Sequence, residues 1–395
     1  MATLSTPAEP PPPFLRSSKG RRFLIQAAAA GVLLLFVAYL FDRASKLELG
    51  LGFMDERTGF ALANQWITTF ESNDSRWVAY GAGVFNTIRI VAVGIVLATI
   101  LGVVMGVARL SSNWLVSRLA TVYVEVIRNT PLLVQIVFWH SVVLLQLPRI
   151  SEAVNVGEVV YISNRALAIP WPQERGSLAV VWVILALVAL VVAAWVRNRR
   201  LVEEAETGRS THANLYGIGV FLVLATGAYV ATGLPVGIDV PELTFNDTGT
   251  TQNYVGGIKI TPEFAALLFA LVFYTGSFIT EIVRGSIQSL PRGQSEAAAA
   301  LGLSGYQRMT LVILPQALRT MIPAVTNQYL NLSKNSSLAI VIGYSELFLV
   351  SSTILNNAGR AIPTFTLIIG TYLTLNLLIS AAMNWLNRRV QSARL

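Results

Sequence analysis

The stretch Glu281–Pro315 reads EIVRGSIQSLPRGQSEAAAALGLSGYQRMTLVILP, and long apolar runs lie on both sides of it. Glu296 to Ala300 is EAAAA. Alanine has the highest helix propensity of all residues, so a short surface helix is expected there. Pro291 and Gly293 interrupt any continuous helix ahead of it. Gly302 ends or bends it, and Pro315 limits the helix that follows. The residues alone thus predict a short helix crossed by a second helical piece. A membrane chain that exposes such a helix between two spans offers it to a partner, though a plain surface helix accounts for the same residues.

The membrane setting follows from composition. Hydrophobic residues make up 54% of the 395-residue chain and charged residues only 13%, against about 25% charged in soluble domains. Several apolar runs approach about 20 residues, the length that crosses a bilayer core. The net charge of +8 needs no nucleic acid, because cytoplasmic loops of membrane proteins collect Lys and Arg. The absence of cysteine excludes disulfides, thiolate metal sites and cysteine nucleophiles. The only histidines, His140 and His212, lie far apart, so no histidine-based metal site or triad is expected. No G-x-x-x-x-G-K-[ST] occurs, so no phosphate-binding loop powers the chain. With no catalytic constellation either, the chain reads as a non-catalytic subunit.

Eight spans are expected, at about 23–41, 88–108, 128–147, 177–196, 215–233, 262–282, 321–342 and 363–385. Residues 1–22 form a polar, proline-containing cytoplasmic tail expected to be disordered. The first apolar run is too long for a secretory leader and no cleavage site follows it, so it reads as a retained span. Segment 42–86 is exoplasmic, with Trp66, Phe70, Trp77 and Phe85 suited to the membrane surface. Arg89 stands at the entry of the second span, placed to snorkel outward. In the same span Gly94, Gly102 and Gly106 share one face, where another backbone can approach.

Basic residues orient the scheme. Clusters such as Arg21–Arg22, Arg197–Arg200, Arg284–Arg319 and Arg388–Arg389 fall on connections assigned to the cytoplasm. Most outer connections are poorer, although the first carries Arg43, Lys46, Arg57 and Arg76. The charge asymmetry places Glu296 to Pro315 inside, independently of any motif.

A second informative string is Glu125-Val126-Ile127-Arg128-Asn129-Thr130-Pro131-Leu132-Leu133-Val134-Gln135. Glu125 and Arg128 stand three apart and are expected to pair on one helix face. Pro131 kinks the chain. The seventh span is unusually polar and holds Lys334. An ionisable residue inside a span lines a cavity or a pathway, or else serves as polar glue between helices. Asn331, Lys334, Asn335 and Ser336 present groups suited to the charged ends of an amino acid. Glu281 in the sixth span and Gln135 in the third are weighed with them. For Glu281 a plain ion pair with Arg284 is the competing reading, and His140 reads as a packing residue.

Both strings resemble known motifs. The first is similar to the EAA loop of bacterial ABC importer permeases: EAA, three residues, Gly, nine residues, Ile, one residue, Leu-Pro. Only Val312 departs, conservatively, at the Ile position. The second resembles the E-x-x-R-x-T-P-L-L-V-Q signature of the polar amino acid permeases within that family, carried here by Glu125, Arg128, Thr130 and Pro131. The likeness runs from about Asn86 to the C-terminus, and the chain looks most like the larger permease of general L-amino acid systems.

The resemblance implies an all-α integral membrane protein of the type I ABC importer permease class. Spans two, three, six, seven and eight would form its five-helix core, in parts 87–147 and 262–387. Span one and a hairpin of spans four and five, within exoplasmic loops 148–261, would be additions, and 388–395 a cytoplasmic tail. The coupling loop, 289–318, would dock on an ATPase through Glu296, Ala297, Ala298, Gly302, Leu314 and Pro315. Implied partners are two ABC ATPase subunits holding ATP and Mg, a second homologous permease, an exoplasmic amino-acid-binding protein and membrane lipid. No cofactor on this chain and no nucleic acid is implied. The rival readings are a secondary transporter driven by an ion gradient, which leaves the alanine-rich loop unexplained, and a non-transporting assembly subunit.

Overall fold

The computed structural model describes residues 50–62, 70–175, 178–207, 210–245 and 252–392, with a few positions between 26 and 39. The first expected span therefore lies almost wholly outside the described residues. The helices are α1 (Arg76–Arg109), α2 (Trp114–Arg128), α3 (Leu132–Val137), α4 (Ala179–Thr207), α5 (Ala213–Ala231), α6 (Pro262–Gln288) and α7 (Arg292–Ala300). They continue with α8 (Gly305–Ile342), α9 (Leu347–Ala358) and α10 (Ala361–Ser392). Six of these are long and apolar enough to cross a membrane: α1, α4, α5, α6, α8 and α10.

The expected third span is broken. α2 is a helix of its own, started by the Asn113 side chain, which accepts the Leu115 and Val116 N–H groups. The run from Leu132 to Leu144 leaves it at 103°. The cause is the Thr130–Pro131 step, because proline forbids the residue before it from staying helical. The chain continues past α3 as a π-helical turn, Phe138–Leu144.

α6 is the centre of the bundle. Thr261 caps it by accepting the Phe264 N–H, and Pro262 occupies its first turn, where no donor is missed. It packs against α1, α2, α3 and α8, and Leu267, Ala270, Leu271 and Ile279 are fully enclosed. Its closest neighbour is α1. A Cβ placed on Gly102 would lie 2.5 Å from Ile279 Cβ, and one on Gly106 would lie 2.7 Å from Val283 Cβ. Gly94, about two turns further along the same face, seats Leu332 of α8. The glycine stripe of α1 is thus a groove that accepts branched side chains, the close approach that small residues permit between membrane helices. Thr280 Oγ1 adds a hydrogen bond to the Gly102 carbonyl at 3.3 Å.

Three other expectations change. α1 begins at Arg76 rather than near Ile88, so Arg89 lies inside it and stands 4.1 Å from the centre of the Phe264 ring instead of snorkelling. α8 passes through Pro315 without a gap, because a π-helical turn, Arg308–Ile313, absorbs the proline. The outer connection before the last span is not a loop but contains α9.

The outer segments are folded. Phe53, Met54, Leu62 and Phe70 form a small second core with Tyr80 of α1 and Leu347, Val350 and Ile354 of α9. Buried Arg76 holds this cap, donating to the Phe53 carbonyl at 2.8 Å and to Glu56 at 2.9 Å. Among the described residues, eight short strands lie between α3 and α6. β1 (Val154–Val156), β2 (Val160–Ile162), β3 (Leu167–Ile169) and β8 (Ile258–Ile260) make an antiparallel sheet. β4 (Trp171–Glu174) pairs with β5 (Val236–Asp239), and β6 (Glu242–Phe245) with β7 (Gln252–Val255). In β3–β8, Ile169 stands opposite Ile258. The whole α4–α5 excursion therefore leaves and rejoins the chain at one hydrogen-bonded doorway.

Candidate coupling surface and translocation face

Between α6 and α8 the chain makes an elbow. The alanines carry α7 to Ala300, and then the backbone reverses. Gly302 has φ +78°, a conformation that costs an L side chain about 1–2 kcal/mol. The Gly302 N–H donates to the Ala299 carbonyl at 2.9 Å and the Leu303 N–H to Ala298 at 3.2 Å, closing the helix end. Ser304 and Gln307 then form a reciprocal capping box that starts α8. Gln316 Nε2 donates to Gln294 Oε1 at 3.2 Å across the elbow.

Of the coupling residues expected from sequence, Glu296, Ala297, Gly302 and Leu314 are exposed, Pro315 is half-buried and Ala298 is buried. Ala298 and Ile313 are the buried residues that seat the elbow. Leu301 and Tyr306 are 81% and 78% exposed, with Met309 and Leu311 beside them. Leu301 lies on the turn before α8 and the other three on its first turns, and exposed apolar side chains grouped at such an elbow mark a contact surface.

The polar residues of α8 do not all face the same way. Asn327, Asn331 and Lys334 are exposed, and their spacing of four and three puts them on one stripe. Asn335 is half-buried beside them. Ser336 is buried and donates to the Ser333 carbonyl at 2.8 Å. Groups of this kind on a span need water or a protein partner, because lipid satisfies none of them.

Glu281 and Gln135 are engaged elsewhere. Glu281 forms ion pairs with Arg109 at the end of α1 and with Arg284, 2.9 Å away, on its own helix. It ties the C-terminal ends of α1 and α6 together. Gln135 lies at the α2–α3 break, where its Nε2 donates to the carbonyls of Ile127 at 2.9 Å and Thr130 at 3.0 Å. These are carbonyls that the broken helix leaves open. Glu125 and Arg128 do not pair. Arg128 stands 4.7 Å from the centre of the Phe278 ring of α6, and Glu125 meets the Asn129 side chain instead. His140 is half-buried, with Ser141 at 3.4 Å.

Two residues escaped the sequence reading. Arg109 lies just past the expected second span, in a stretch with no motif of its own. Glu346 fell in an expected loop, yet it is fully buried at the start of α9. An acid directly followed by the apolar run Leu347–Val350 was the available signal.

Comparison with known proteins gives this arrangement a family context. The family model described as "Binding-protein-dependent transport system inner membrane component" matches residues 94–392. The general L-amino acid transport system permease protein AapQ of Rhizobium johnstonii is 44% identical over 349 residues, which cover 88% of this chain and 84% of that protein. The glutamate/glutamine/aspartate/asparagine transport system permease protein BztB of Rhodobacter capsulatus is 36% identical, over 93% of this chain and 92% of its own length.

Proposed function

Because the chain belongs to the family of binding-protein-dependent transport system inner membrane components, we propose that it is the permease subunit of an ATP-driven importer of amino acids. The observation that carries this reading is the elbow: an exposed alanine helix, closed by a left-handed glycine, at the inner end of the central helix α6. The names of the relatives AapQ and BztB support the substrate class.

In this reading an ATPase subunit receives α7. The small Ala297 and Ala299 side chains let the helix enter a groove, and exposed Glu296 accepts hydrogen bonds from its walls. ATP and Mg belong to that partner, and this chain does no chemistry. A second, related permease faces the Asn327–Asn331–Lys334 stripe across the pathway. An exoplasmic binding protein delivers the amino acid, whose carboxylate meets the Lys334 ammonium. Closure of the two ATPase subunits moves the paired elbows and rocks the helices as rigid bodies, exposing the stripe alternately outward and inward.

The test uses Gly302→Asp and Glu296→Lys. Both variants insert into the membrane, and ATP-driven uptake by the full importer falls to background. Normal uptake by both would sink the docking assignment. A purified chain that, alone in liposomes, moved an amino acid down an ion gradient would favour the secondary transporter instead.

A further inference from the structure

Glu346 has no task in the scheme above, yet it is the most fully enclosed acid among the described residues. Taking a carboxylate out of water is costly unless good hydrogen bonds replace the lost solvent. Here they come from α9 itself and from α10. Oε1 accepts the Leu349 N–H at 2.8 Å and Oε2 the Phe348 N–H at 2.9 Å, which caps α9. Oε2 also accepts the Tyr372 hydroxyl of α10 at 2.8 Å. Beside it, Thr87 Oγ1 of α1 accepts the Leu347 N–H at 3.0 Å and donates to the Gly83 carbonyl at 3.0 Å. α8 tightens into its final 3-10 turns, Ser336–Ile342, just before this knot.

A helix cap explains only part of this knot. Ser or Asp at an exposed helix start does the same work with no burial. The Tyr372 contact joins an element that α9 does not need for its own start. The backbone around Glu346 is stitched to α1 as well: Asn86 Nδ2 donates to the Ser345 carbonyl at 2.8 Å, and Tyr344 donates to the Asn86 carbonyl at 3.3 Å. The link back to α8 is short. It turns through Gly343 at φ +76°, a backbone that resists any other residue. The knot therefore holds the outer end of α8, and the segment held is the one that carries Asn331, Lys334 and Asn335.

We propose that Glu346 is a positioning residue for translocation: its carboxylate ties the segment that follows α8 to α10, next to that segment's own bonds to α1, and so fixes where the polar stripe stands in the pathway. This rests on the reading of that stripe as the pathway. The full importer, with its ATPase and binding protein, is reconstituted in liposomes. Amino acid imported per ATP hydrolysed is then measured per assembled complex. The probe is whichever labelled L-amino acid the wild-type complex takes up. Glu346→Gln places an amide donor against donors, and the ratio falls about tenfold, as expected for losing charge-assisted hydrogen bonds. Tyr372→Phe, which leaves the α9 cap intact, lowers it about threefold, and Glu346→Asp restores part of the loss.

A Glu346→Gln complex that assembles poorly but imports the wild-type amount per ATP would make Glu346 a plain helix cap and overturn the proposal. If that variant does not assemble, an unchanged ratio in Tyr372→Phe overturns it. Lys334→Ala separates the two readings. Unchanged import in that variant removes the pathway reading, whereas impaired import there with a normal Glu346→Gln removes only the role of Glu346.

Discussion

The central helix α6 and the hairpin α4–α5 are both apolar enough to span a membrane, but they use that property in opposite ways. The protein buries 61% of the apolar window of α6, against 17% for α4 and 11% for α5. α6 mixes its apolar residues with Thr275, Gly276, Ser277 and Thr280, all buried. The hairpin shows Val183, Ile184, Leu187, Val188 and Val191 outward, and its two helices pack mainly on each other. Hydropathy alone does not separate a helix solvated by lipid from one solvated by protein. Small and hydroxylated residues do, because only a close helix neighbour rewards them.

This contrast breaks most easily at its glycines. Gly102→Leu drives a branched side chain into Ile279, where even a Cβ is too close. Overpacking of this kind costs about 3 kcal/mol or more, and the folded yield in detergent, read by size-exclusion chromatography, collapses. The control is Gly219→Leu on α5, which meets nothing within 4 Å and leaves the yield unchanged. A collapse in both variants would mean that the hairpin is as tightly held as the centre.

An intermediate effect is expected at the inner end of α6. Glu281→Gln removes the charge that holds Arg109 and Arg284. The half-buried setting places the loss at about 2 kcal/mol, seen as a lower melting temperature of the purified permease. Asn214→Ala in the hairpin cuts an exposed 2.8 Å contact with Arg197 and shifts melting by less than about 0.5 kcal/mol.

The smallest effect is expected from the largest edit. Residues 170–257 are replaced by Asn-Gly, which joins β3 to β8 as a two-residue hairpin. Because Ile169 and Ile258 already face each other, the shortened chain inserts and retains ATP-driven uptake within about twofold. Loss of insertion would show that α4–α5 supports the bundle after all.

Much of this was legible in the sequence. The glycine stripe and the broken helix ends around Gly302 follow from residue types and spacing. What stayed hidden depends on contacts distant along the chain. Pro315 does end a regular α-helix locally, but a π-helical turn let α8 continue. Glu125 and Arg128 have the spacing of a pair, but the Phe278 ring of α6 gave Arg128 another partner. Glu281 reads equally as a pathway charge or an ion pair until α1 brings Arg109 beside it. The strands of the outer loops are three or four residues each, too short for an alternating pattern to stand out.

α8 is wound loosely at its inner end, normally through its middle and tightly at its outer end. Such a shaft behaves as a screw rather than a piston. Rewinding a π-helical turn as α changes both the rise and the angle of everything beyond it. On the proposed coupling, a push delivered at the elbow would reach the stripe as torque, with the knot around Glu346 as the fixed nut against which it turns.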